Sequence, residues 1–204
     1  MSGLTRKERL REQGRQEILE AGMALFGEKG YHTASMHDIA EKAGVAVGTL
    51  YNFFSSKEEL YNALMELCVA GVAEVVMPIL DDPRASPLDK VRRVIEAHEQ
   101  LVKENAPYIR LSQSRYSDRV VKAGMGAKSQ AAMGQIQRRM AEVFKEGIEK
   151  GVFRDMNPAL MAELLGATME TSAFWAIRES GHGSRAEINK TIETLFLHGI
   201  VKAD

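Results

Sequence analysis

The chain has 204 residues, 45% hydrophobic and 27% charged, with a formal net charge of −1, an ordinary globular balance with no overall bias toward polyanions. Its one cysteine, Cys68, excludes an intramolecular disulfide and fits a reducing compartment. No apolar run approaches the ~18 residues of a membrane helix, and the N-terminus is polar and charged, so a cytoplasmic protein with no membrane partner is expected.

The charge is unevenly placed. Residues 1–15 carry Arg6, Lys7, Arg9, Arg11 and Arg15 against Glu8 and Glu12, a local +3; residues 16–60 carry three lysines against seven acids, a local −4. The basic segment reads either as a solvated helix start or as an arm that reaches a nucleic-acid backbone or minor groove. The first helix runs from Thr5 or Glu12 to Lys29, with Ile18, Leu19, Met23, Leu25 and Phe26 as its core face. Gly30 closes it.

Ser35 to Ala43 reads as a short helix. Ser35 caps it and Asp38 stands at capping-box spacing, while Met36, Ile39, Ala40 and Ala43 share one face. Gly44 ends it, and a second short helix follows from Ala46 to Phe53, with Val45, Leu50 and Phe54 on its buried side. Two short helices joined through a glycine turn form a helix-turn-helix, whose second member enters the DNA major groove. Val47 and Thr49 point away from the Leu50 face and would lie in that groove. Ser55 or Ser56 caps a long helix, Lys57 to Leu80, with Glu58 and Glu59 in its first turn. It would join two domains rigidly, 1–56 and 57–204, and Pro78 should bend or end it.

DDPRASP is the clearest loop, and Ser86-Pro87 starts the next helix. Asn105-Ala-Pro107 breaks it and opens a shorter one through Tyr116. The pattern weakens from Ser117 to Gly126. Helices from Ala127 to Lys150, from Asn157-Pro158 to Ser180 and from Arg185 to Val201 complete an all-α fold of about nine helices.

The residues ILEAGMALFGEKGY and DIAEKAGVAVGTLYNFFSSKEEL, within 15–60, closely resemble the DNA-binding domain of TetR-family transcriptional regulators. The motifs are LF-x-x-x-GY, IA-x-x-AGV, GTLY-x-x-F and SKE-x-L. From Leu60 onward the likeness is only in helicity and length, as for that family's variable ligand domain. The resemblance implies that Gly48 lets DNA approach closely, since Gly inside a helix otherwise costs ~1 kcal/mol against Ala. The family often has a basic or polar side chain where Val47 stands, so contact with a thymine methyl is expected here. Tyr51, Asn52 and Lys57 are placed to hold phosphates, Ser35 offers its hydroxyl and amide similarly, and Arg6 and Lys7 supply the arm. Phe53 is expected near DNA on sugar or backbone, and Phe54 in the core. Ala34 stands where the family commonly has Thr, which removes one usual phosphate contact.

The second domain is rich in methionine and aromatic residues. Core packing explains most of them, but a cavity so lined also suits an apolar or aromatic small-molecule effector. His98, Tyr108, Gln113, Tyr116 and Met169 are the candidates to line it. Leu165, Met169, Ala173, Ile188, Ile192, Leu195 and Phe196 lie on the last two helices. By resemblance these helices pair with those of a second copy in an isologous homodimer; alternatively they close the monomer's own core. No histidine has a Cys or carboxylate at metal-site spacing, so no metal or cofactor is expected. KAGMGAKS lacks the phosphate-loop glycines, and no catalytic motif is evident, so no enzyme activity is expected. The resemblance implies a repressor that binds a palindromic operator as a homodimer and is released by its effector. An activator of the same fold, or a helical partner-binding protein without DNA recognition, is the alternative.

Overall fold

The computed structural model describes residues 5–116, 126–178 and 185–201, with the backbone alone at 112–116, 178, 185 and 186. Among these residues it holds α1 (Arg6–Thr33), α2 (Met36–Lys42), α3 (Val47–Phe53), α4 (Lys57–Leu80), α5 (Pro87–Glu104), α6 (Ala106–Tyr116), α7 (Ala127–Glu149), α8 (Pro158–Arg178) and α9 (Arg185–Ile200). The described residues include no strand, only an isolated antiparallel bridge between Phe153 and Val201.

Caps fix the helix starts. Thr5 and Glu8 form a capping box on α1, and Ser35 and Asp38 form one on α2. Ser86 accepts from the Asp89 amide ahead of Pro87 in the first turn of α5. At Gly30 the backbone takes φ 77°, which suits glycine, and helical bonding resumes for one further turn to Thr33. Gly30 therefore closes the long helix, and a separate turn follows across the kink. Pro78 does not end α4, which runs on to Leu80. It sits in the last turn, so the carbonyl it leaves without a helical partner is that of Glu74, one turn back, and the perturbation falls at the end of the helix.

One expectation from composition is corrected. α4 is long and apolar enough to cross a membrane, with a mean hydropathy of 2.0 over its best window. Leu60, Leu64, Met65, Val69, Val76 and Leu80 are buried in packing, while Leu67 and Val75 are exposed.

The chain divides into two compact units, Met1–Leu67 with Arg110–Gly126, and Cys68–Ile109 with Ala127–Asp204. The division falls inside α4 and again inside α6, whereas the sequence reading begins the second domain at residue 57. The first unit packs Ile18, Leu19, Leu25 and Phe26 of α1, with Ile39, Leu50, Phe54 and Leu60, all at most 4% exposed. Gly22 admits Leu60, whose Cδ2 would stand 2.7 Å from an added Cβ. The second unit's core gathers Leu80, Val91, Ile95, Met140, Phe144, Met161, Leu165 and Ile192. Phe144 meets the rings of Phe153 and Phe196 at 5.7 and 5.9 Å.

Candidate nucleic-acid interface

Leu50 decides how α3 is presented. It is fully buried, which contributes about 1.5–3 kcal/mol and turns the opposite side of the helix outward. Gly48, Thr49 and Asn52 are exposed, Tyr51 is half exposed and Val47 partly so. A Cβ added at Gly48 would meet nothing within 4 Å. The protein's own packing therefore does not require glycine there. Phe53 and Phe54 part ways: Phe54 is buried beneath the Arg15 guanidinium, 5.3 Å from its ring centroid. Phe53 is partly exposed and lies against α1, its Cζ 3.5 Å from the Cβ position of Gly14.

Two groups expected to meet phosphates make hydrogen bonds within the protein. Ser35 Oγ accepts from the Asp38 amide at 3.1 Å and donates to its carboxylate at 2.8 Å, while the Ser35 amide donates to the same carboxylate. Both groups expected to meet a phosphate thus also serve the cap. Those bonds also hold the Asp38 carboxyl below its ordinary range. Lys57 Nζ donates to the carbonyls of Tyr31 and Ala34 at 2.8 and 2.9 Å, and to that of His32 at 3.3 Å. Burial lowers the pKa of that ammonium.

Other cations of this unit are also engaged internally. Lys42 pairs with Glu28 at 2.7 Å and Lys29 approaches Asp38 at 3.8 Å. Arg6 and Lys7 are exposed in the first turn of α1, behind the Thr5 cap, and so stand on a helix rather than on an extended arm. With Arg9 and Arg11 they make the α1 start an exposed basic surface.

In the second unit, His98 is buried at 6% exposure, with Nε2 2.9 Å from the Met169 carbonyl and 3.3 Å from Ser172 Oγ. Its Nδ1 lies 3.3 Å from Asn189 Oδ1. Ser172, His98 and Asn189 have the residue types of a nucleophile, a base and an orienting amide. The shortest contact, however, has Nε2 donating to the Met169 carbonyl, and Ser172 Oγ donates to the same oxygen at 2.8 Å. Neither passes a proton to the other. The group ties α5 to α8 and α9, and its members lie too far apart in sequence to be seen there.

His98, expected to orient an effector, is thus largely committed to structure. The crevice beside it encloses about 180 Å³ including open solvent, below the ~300–1,000 Å³ typical of small-molecule pockets. Met169 joins His98 through its carbonyl, and its side chain packs on the core. Tyr108 is half-buried; burial first and Cys68 second push its hydroxyl pKa up. Burial also raises the Cys68 thiol to about 11. The side chains of Gln113 and Tyr116 lie outside the described residues.

The expected pairing residues divide between two faces. Leu165, Ala173 and Ile192 are 1, 8 and 3% exposed and belong to the protomer's interior, because one helix face cannot pack inward and outward at once. Met169, Ile188 and Phe196 are partly buried against the same core. Leu195 faces out at 71% exposure, as do Leu160, Leu164 and Trp175. Leu160, Leu164 and Trp175 fall along one side of α8 at helical spacing.

Two short helices about a glycine turn, the second presenting an outward face of small and polar residues, define a helix-turn-helix DNA-binding regulator. Residues 18–64 match the family model for bacterial regulatory proteins of the tetR family, and residues 84–200 match that for the tetracyclin repressor-like C-terminal domain. The chain belongs to the TetR family of transcriptional regulators.

It is 26% identical over 189 residues to the HTH-type transcriptional repressor KstR2 of Mycobacterium tuberculosis, covering 92% of this chain and 93% of that one. It is 33% identical over 105 residues to the HTH-type transcriptional activator FasR of Mycolicibacterium smegmatis, covering 50% and 46%. The solved structure of the regulator FadR from Bacillus subtilis, in complex with stearoyl-CoA, has a TM-score of 0.73 at 19% identity and covers 90% and 98%. These relatives are regulators of transcription, and no catalytic family is indicated.

Proposed function

We propose that the chain is a cytoplasmic, ligand-responsive repressor that binds a palindromic operator as a homodimer and leaves it when an apolar small molecule binds. The observation that carries this reading is the outward face of α3, where Val47, Gly48, Thr49, Tyr51 and Asn52 surround a fully buried Leu50. Val47 and Thr49 offer methyl groups to thymine, and Gly48 leaves room for the base edges. Tyr51 and Asn52, with Arg6 and Lys7, hold phosphates and set the register. Two copies place their α3 helices about one DNA turn apart, ~34–36 Å.

The exposed stripe of Leu160, Leu164 and Trp175, with Leu195 of α9, supports pairing through these helices. Two relatives support an acyl-chain or steroid effector: FadR, which holds stearoyl-CoA, and KstR2 of Mycobacterium tuberculosis, described as a ketosteroid transcriptional regulator. Weaker DNA binding with effector requires weaker effector binding on DNA by the same factor.

The test is a fluorescence-anisotropy titration of DNA flanking the protein's own coding region beside random duplex, at two salt concentrations, with and without stearoyl-CoA. A saturable preference for the flanking DNA at dimer stoichiometry supports the reading. Equal binding to both duplexes under every condition overturns it. The FasR likeness favours a second reading, activation. A promoter-reporter assay separates the two by the sign of the response to deletion of the gene.

A further inference from the structure

Among the described residues, the Oγ of Ser129 alone is a fully buried side-chain polar atom without a hydrogen-bond partner. Ser129 is the third residue of α7 and is 1% exposed. Elsewhere in the interior such groups are engaged: the Asn105 amide donates to the Leu101 carbonyl, and both ring nitrogens of His98 meet oxygens. A buried hydroxyl left alone carries its full desolvation penalty, which an alanine of nearly the same size avoids. Serine is also the weaker helix former. Neither stability nor packing therefore accounts for this hydroxyl.

Its setting indicates what would answer it. The Cα–Cβ bond of a helical residue tilts toward the helix start, so Ser129 is directed at the positive pole of α7. No acidic residue in that turn balances the pole. In the other direction the same face continues at helical spacing as Met133, Ile136, Met140 and Phe144, all packed into the second unit's core. From Ser129 to Met140 this wall is roughly 16 Å long at 1.5 Å per residue. Its two methionines are the side chains best able to repack around a guest. Resting on the effector reading, we propose that Ser129 is the polar anchor of the effector site. Its Oγ–H donates to a carbonyl or carboxylate oxygen, and the apolar body of the ligand lies along the Met133–Met140 face of α7. A fatty acid, an acyl thioester and a steroid ketone share that chemistry, and the helix pole favours the carboxylate.

The test compares the full chain with its Ser129→Ala variant in two measurements. Thermal melts are recorded without ligand, and calorimetric titrations use decanoate, decanoyl-CoA, progesterone and decylamine. Without ligand, Ser129→Ala should melt at the same temperature or higher, because no internal hydrogen bond is lost. It should bind about tenfold more weakly whichever oxygenated probe the unaltered chain takes up. The probe that shows the loss distinguishes acid, thioester and ketone. Equal affinity in the two proteins overturns the proposal and leaves the effector reading standing. A lower melting temperature for Ser129→Ala overturns it as well, since the hydroxyl then has a partner within the protein. Uptake of decylamine alone also overturns it, because an ammonium offers no acceptor. If the unaltered chain takes up none of the four, the effector reading itself fails and the proposal falls with it.

Discussion

Gly48→Ala separates a glycine kept for packing from one kept for a partner. Gly48 is the second residue of α3 and its φ is not positive, so alanine takes the same backbone without strain. The new methyl meets no protein atom within 4 Å. The helix should gain about 0.5–1 kcal/mol, and ~1 kcal/mol raises the melting temperature of a chain this size by roughly 2–4 °C. The same methyl projects from the face assigned to the groove, so operator affinity should fall at least tenfold, about 1.4 kcal/mol. Calorimetry and fluorescence anisotropy on one preparation read both effects. Gly27→Ala is the control: Gly27 is exposed on α1 with equally open space, so it should stabilise without changing DNA binding. A lower melting temperature for Gly48→Ala would refute the packing argument. Higher stability with undiminished operator affinity would show that DNA does not come close to Gly48.

Tyr51→Ala should weaken operator and random DNA by similar factors, whereas Val47→Ala should mainly relax sequence preference; a loss confined to the operator in Tyr51→Ala would contradict its phosphate role. Thr5, Ser35 and Ser55 hold the carboxyls of Glu8, Asp38 and Glu59 below their ordinary range through hydrogen bonds to the charged form. Such groups stabilise fully above their unfolded pKa values, about 4, and lose that contribution as pH falls through the lower folded values. Thermal melts followed by helicity should therefore decline below about pH 4, less steeply in Ser35→Ala; parallel curves for the two proteins would reject the Asp38 share. Gly147→Ala places a Cβ 2.1 Å from the buried Phe153 ring and should cost about 1–3 kcal/mol by overpacking, read by denaturant titration. Leu195→Asp should lower the dimer fraction in sedimentation while each protomer stays folded; an unchanged association constant would place the interface elsewhere.

The helices are legible in the sequence because their signals are local. Ser35 with Asp38, Ser86 with Pro87, and the glycines at 44 and 151 mark starts and stops within the chain itself, and the observed boundaries fall within a residue or two of them. Which chemistry a polar group performs is less legible. A serine that caps a helix and one that meets a phosphate use the same hydroxyl and amide, so Ser35 suits both descriptions in the sequence; in the structure Asp38 occupies both groups. Lys57 reads as available because the carbonyls that hold it lie 23–26 residues away. In α8 the difficulty is phase. Leu160, Met161, Leu164 and Leu165 place apolar side chains on several sides of the helix, and only packing reveals that Met161 and Leu165 turn inward while Leu160 and Leu164 turn out.

The division of the chain also bears on how such proteins could be recombined. The backbone passes out of the first unit within α4, returns to it within α6, and leaves again after Gly126. Leu111, fully buried, belongs to that returning stretch. A fragment ended at Leu67 would therefore omit part of its own unit. The helix-turn-helix half is not a cassette at one end of the polypeptide, and grafting it onto another sensor would require two junctions chosen together.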